Sequence, residues 1–159
     1  MKNIKSDFLK TLLKNLNIEI VDHGHLYADK EWNFNIHGVP SNRLYFILDG
    51  EAEIEREDHK VMLEKGNMYL IPLNSPYRLC CKDKMEKFFI HFNAEIIPGH
   101  DLFEDNKICI FKSFDYTLVK KLITKFNSKN VSDAITCKSI IMANIGEFVE
   151  LSEDKTVGR

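Results

Sequence analysis

The residues best spaced for chemistry are a histidine pair, His23-Gly24-His25, with Glu31 six residues on and Gly38 seven after that. Two imidazoles and a carboxylate can hold a divalent iron, manganese or zinc ion and leave positions open for substrate. The segment that follows, Trp32–His37, is polar. Asp22-His23-Gly24-His25 itself has the composition of a turn. A surface turn is therefore the expectation, with a metal centre as the alternative. No other arrangement points to catalysis: the chain has no G-x-S-x-G, no phosphate loop and no cysteine placed with a histidine by a known signature. Glu51, Glu53 and Glu55 alternate with Ala52 and Ile54, which reads as the solvated face of a strand. Cys80, Cys81, Cys109 and Cys137 lack C-x-x-C spacing, and neighbours on a strand point to opposite faces, so they read as buried or half-buried thiols.

The elements that would position such residues are concentrated between Arg43 and Asn93. Four short apolar runs lie there, Leu44–Leu48, Ala52–Glu55, Met68–Pro72 and Phe88–Phe92. Asp49-Gly50, Arg56–Lys60, Lys65-Gly66-Asn67, Asn74-Ser75-Pro76 and Lys82–Lys87 separate them. Short strands at regular spacing with such turn residues between them predict an antiparallel sandwich or barrel. Upstream, Ile18–Val21, Leu26–Tyr27 and Trp32–Ile36 read as extended pieces, and downstream Lys107–Phe111 as one more strand.

Within this stretch the run from Gly66 through Pro72, Asn74 and Tyr77 resembles a cupin half-motif, G-x5-P-x-G-x2-H. With the strand Y-F-I-L-D-G, the hairpin G-N-M-Y-L-I-P and the strand F-F-I-H-F-N, the pattern from about Trp32 to Asn93 is similar to the N-terminal effector-binding and dimerisation domain of AraC-family transcription regulators, a bacterial family. The resemblance implies a mainly β chain: a cupin-like antiparallel β-barrel (double-stranded β-helix) with an N-terminal helix and two C-terminal helices. The expected divisions are 1–17 for an N-terminal helix or arm, 18–113 for the barrel, 114–152 for a dimerising helical pair and 153–159 for a linker remnant. Family members carry two helix-turn-helix units after this domain, and nothing here resembles them. The expectation is thus an excised sensor half, with DNA contacted only through that further domain.

The resemblance also places the cupin metal positions. They fall on His37, Val39, Arg43 and Tyr77, one ligand of four with a cation where the carboxylate belongs, so no metal and no cofactor is expected. The replacements are informative, because His37, Arg43, Tyr45, Tyr69, Tyr77 and His91 bring donors and aromatic faces suited to a small polar or anionic effector such as a sugar or an acid. The family lines its pocket from the barrel interior, which adds Leu79, Lys87 and Phe89 by strand alternation. Phe89 stands where the family usually has Trp. The implied function is a non-enzymatic ligand sensor. The alternatives are a small metal-dependent cupin enzyme, an isomerase or oxygenase, and a ligand-free dimerisation module.

Helical periodicity brackets the strands. Ser6–Leu16 carries Phe8, Leu9, Leu12, Leu13 and Leu16 on one stripe, expected to pack on the barrel. Tyr116–Phe126 repeats the pattern, and Ser132 opens a longer helix to about Leu151. That last helix has more apolar positions than one stripe needs, so a homodimer through Ile141, Ile145, Phe148 and Val149 is expected. The net charge is −2, which argues against nucleic-acid binding by this chain alone, and 44% apolar residues exclude a disordered chain. No run reaches membrane-span length, and Lys10 and Lys14 break any signal-peptide core, so a cytoplasmic location without membrane contact is expected.

Overall fold

The computed structural model describes residues 4–107 and 109–157 of the chain. Among the described residues nine antiparallel strands follow an N-terminal helix, α1 (Ile4–Asn15), and precede two helices, α2 (Tyr116–Phe126) and α3 (Val131–Val157). The strands are β1 (Asn17–Ala28), β2 (Asn33–Ile36), β3 (Asn42–Glu55), β4 (Lys60–Glu64), β5 (Asn67–Ile71), β6 (Tyr77–Cys80), β7 (Met85–Ile97), β8 (His100–Asp101) and β9 (Ile110–Ser113). The mainly β architecture with one leading and two trailing helices is the one expected.

Two strands are longer than the turn residues predict. Asp49-Gly50 does not close a hairpin. β3 runs through it with a bulge between Ile47 and Asp49 and passes from one sheet into the next. Its first half lies in the order β1-β7-β3-β5-β9, and its second half pairs with β4 and β6, the latter carrying β2. Gly50 is required there, since it sits at φ +68° and a β-carbon would lie 2.1 Å from the carbonyl oxygen of Lys84. The expected turn at Asp22–His25 is likewise absent, because β1 continues through it with a bulge between Ile20 and Asp22. The last strand falls at Ile110–Ser113, slightly beyond the Lys107–Phe111 expectation, in which residue 108 lies outside the described residues. Residues 153–157, expected as linker, continue α3, while 158 and 159 lie outside the described residues.

The central strands of the first sheet, β7, β3 and β5, are buried on both faces. Leu44, Phe46, Met68, Leu70, Phe88, Ile90 and Phe92 face Val119 and Leu122 of α2 and Cys137, Ile141, Ile145 and Phe148 of α3. The alternate residues, Tyr45, Ile47, Tyr69 and Ile71, face Ala52, Ile54, Leu63, Tyr77 and Leu79 across the barrel. Strand alternation thus divides one set of strands between a helix-packing core and a barrel interior.

This packing corrects the expected dimer surface. Ile141, Ile145 and Phe148 are at most 2% exposed in the single chain, and Val149 is partly buried against the same cluster. They anchor α3 to its own sheet, because that apolar stripe is the one closest in space to the strands. The apolar surplus of α3 lies elsewhere, on Val131, Ile135 and Met142, all exposed. α1 departs in the other direction: Phe8, Leu9 and Leu13 are exposed, and only Leu12 and Leu16 of its stripe are partly covered. Asp115 caps α2, its carboxylate accepting the Thr117 N–H at 2.8 Å.

Candidate ligand-binding barrel interior

The interior site starts from a register. β3 and β7 pair Arg43 with His91, Tyr45 with Phe89 and Ile47 with Lys87. Arg43, Tyr45, Lys87, Phe89 and His91 therefore share the barrel-facing side. A buried network fixes this end of the register. Asp101 accepts the side-chain amide of Asn42 at 2.9 Å, the Ala94 N–H at 2.7 Å and the Phe103 N–H at 2.9 Å, while the Asn42 oxygen accepts the Leu73 N–H at 3.0 Å. Arg43 follows directly on that anchored asparagine.

Arg43 Nη1 donates to the Tyr45 hydroxyl at 3.3 Å, and its guanidinium carbon lies 5.9 Å from the Tyr77 ring centre. Its Nε is buried without a hydrogen-bond partner among the described residues. Desolvation opposes the arginine charge, but the Tyr45 and Tyr77 hydroxyls hold its pKa above the ordinary value. Burial raises the pKa of both Tyr45 and Tyr77, so both hydroxyls stay protonated and able to donate.

Lys87 is 3% exposed, and no carboxylate or hydroxyl pairs with it among the described residues. Its ammonium lies 3.4 Å from the Tyr45 ring centre, 4.5 Å from that of Trp32 and 5.7 Å from that of Phe89. Aromatic faces stabilise a cation, but burial and the neighbouring Arg43 charge push the lysine pKa well below its ordinary value. His91 stacks beside Phe89 with ring centres 5.0 Å apart. Burial first, and Arg43 second, lower its pKa to about 4, so its ring is neutral at physiological pH. On β1, Gly24 pairs with Phe89, and the Phe89 ring fills the place a side chain would take, with a built β-carbon only 2.8 Å from it.

Of the expected ligand residues, the structure brings together Arg43, Tyr45, Tyr77, Lys87, Phe89 and His91, with Leu79 in the apolar wall. Two others fall away. His37 lies exposed in the loop before β3. Tyr69 is buried, but its hydroxyl is held by the β4–β5 turn, accepting the Glu64 N–H at 2.8 Å and the Asn67 amide at 3.4 Å. Trp32 joins the site although it is not among the expected ligand residues. The one available signal was its place just before a strand whose partner, β6, lines the interior.

The histidine pair is not a turn but part of β1, on the outer side of the sheet. His23 packs against Phe126 of α2 with ring centres 4.3 Å apart, and His25 bonds Glu86 at 2.7 Å while stacking on Tyr27. The bulge before Asp22 turns these rings away from the interior. At the cupin metal positions the donor set is wrong for a divalent cation. Arg43 occupies the carboxylate place with its guanidinium on Tyr45, and among the described residues no three His, Cys, Asp or Glu side chains come together.

No family model and no curated protein matches this chain. Among solved structures, it is similar to ToxT from Vibrio cholerae, with a TM-score of 0.55 and 14% identity over 82% of this chain and 56% of that one. A cupin-2 domain protein from Shewanella frigidimarina matches at TM-score 0.39 and 14% identity, covering 57% of this chain and 92% of its own. The EutQ protein of Clostridium difficile matches at TM-score 0.41 and 14% identity, covering 48% and 67%. Among the described residues no helix is long and apolar enough to cross a membrane. The strand order and the two faces of the first sheet make this a mainly antiparallel β fold with one leading and two trailing helices, and the likeness to ToxT agrees with that fold.

Proposed function

We propose that this chain is the ligand-sensing and dimerisation domain of an AraC-type transcription regulator, with a small polar effector held inside the barrel. One observation carries the reading: the barrel-facing rows between the sheets carry Arg43, Tyr45, Tyr77, Lys87 and His91, where a purely structural barrel would place aliphatic side chains. The likeness to ToxT, an AraC-family regulator with a cupin-like N-domain, supports the same reading at the level of fold.

The effector acts by population shift. Binding between the sheets favours one arrangement of barrel and helices, and a DNA-binding domain attached to the chain reads that arrangement. Two protomers pair through the outer face of α3, where Ile135 and Met142 are exposed, rather than through the stripe that α3 spends on its own sheet.

Native mass spectrometry of the purified chain tests this. A dimer that carries or takes up a small organic molecule is the expected result. One tightly held transition metal per chain with turnover of a small substrate would replace the sensor with an enzyme. A dimer that takes up nothing from a broad metabolite set would reduce it to a dimerisation module.

A further inference from the structure

We infer that the ligand of the barrel is an acid, a small carboxylate-bearing molecule whose charged end lies between Arg43 and Lys87. The inference rests on the reading of the barrel as a ligand site and names the class of ligand.

The argument is a balance of donors and acceptors. A guanidinium donates and never accepts, and a lysine does the same while it carries its proton. Arg43 uses Nη1 on Tyr45 and leaves a buried Nε–H unbonded, on the edge through which a guanidinium grips a carboxylate in two parallel bonds. Lys87 is buried with aromatic faces around it and no oxygen acceptor among the described residues. No ion pair among the described residues involves either side chain. Asp22, opposite His91 in the β1–β7 register, is exposed and accepts the His23 N–H at 2.8 Å.

A sugar hydroxyl can exchange hydrogen bonds with Tyr45, Tyr77 and His91, but it brings no negative charge to the Arg43 guanidinium. A carboxylate brings acceptors only, supplies the negative charge that the Arg43 guanidinium lacks among the described residues, and by its own charge favours the protonated form of Lys87. Trp32, Tyr45 and Phe89 then offer flat apolar walls to the rest of the molecule.

The test is two-dimensional NMR on the labelled 159-residue chain, titrated with acetate, benzoate and octanoate, with the matching alcohols, and with glucose. At least one of the acids is expected to move the resonances of Tyr45, Lys87, Phe89 and His91, and its alcohol is not. Arg43→Gln and Lys87→Met are each expected to weaken that acid at least about tenfold, as loss of a charge-assisted contact does. Arg43→Lys keeps the charge but not the fork, and also weakens it, which covers the case in which an uncharged variant fails to fold. An alcohol or glucose binding the interior as tightly as any acid would overturn the inference while leaving the ligand site standing. So would an acid whose affinity is unchanged in all the variants. No interior perturbation by any probe would overturn both.

Discussion

Gly24 and Phe89 are register partners on β1 and β7, and the Phe89 ring lies where a side chain on residue 24 would begin. The glycine holds that aromatic wall back from the barrel axis. Gly24→Val should push the ring into the interior and abolish uptake of ligand, with only a modest fall in thermal midpoint because the ring can rotate aside. Ligand titration of the folded variant checks this; undiminished uptake would mean that the ring does not border the site.

Gly50 serves the backbone instead. Its φ of +68° and the 2.1 Å approach to the Lys84 carbonyl leave no room for a β-carbon. Gly50→Ala should therefore cost about 2 kcal/mol or more in chemical denaturation, because the bulge that carries β3 between sheets must open.

His91 links stability to acidity. Its pKa falls from the ordinary 6.5 to about 4 in the folded chain. Between those values the unfolded chain binds a proton that the folded one does not, so stability rises with pH across that window and the full penalty applies below it. Replacing His91 by Phe should flatten this limb of the stability curve by about 2 kcal/mol, allowing for the ring's residual solvent contact. An unchanged acid limb in urea melts would show that another group titrates there.

Lys87 follows the same sign over a higher range. Its lowered pKa means that folding releases a proton from the pH at which the buried amine titrates up to the ordinary lysine value of about 10.4, and stability rises across that window. Lys87→Met, which keeps the length and removes the charge, should raise the thermal midpoint at neutral pH, with an advantage that shrinks as pH rises. A destabilised Met variant would show that the aromatic faces of Tyr45 and Trp32 more than offset the desolvation of the ammonium.

The two faces of α3 can be separated by mutation. Ile135→Lys with Met142→Lys should yield a folded monomer in analytical ultracentrifugation. Ile141→Ala should instead lower stability by about 2–5 kcal/mol, the cost of emptying a core position, and leave any dimer in place. A dimer that survives the paired lysines would move the interface off this helix.

How far these features were legible follows from what each residue has to do. The bounds of α2 can be read directly, since Asp115 caps an uninterrupted helical stripe and nothing tertiary competes. β1 and β3 were broken too early because Gly24 and Gly50 have the composition of turns. Their actual duties are to admit a ring from the neighbouring strand and to avoid a carbonyl across a bulge, and neither is visible without the partner strand. Apolar periodicity shows that α3 has surplus surface, but it cannot say which stripe meets the sheet, so Ile141 and Phe148 were given to the wrong neighbour. Arg43, Lys87 and His91 were readable as interior only through strand alternation joined to a family resemblance. Tyr69 satisfied the same alternation, yet a turn amide and a backbone N–H had already taken its hydroxyl.

The pleat of β7 gives the site a direct output. Lys87, Phe89 and His91 border the barrel, while Phe88, Ile90 and Phe92 between them carry the helices, and the Phe88 and Phe126 ring centres are 5.5 Å apart. A pleated strand cannot shift one row of side chains and hold the other still. A molecule held on the inside would therefore load α2 and α3 only one peptide unit away, across the thickness of a single strand.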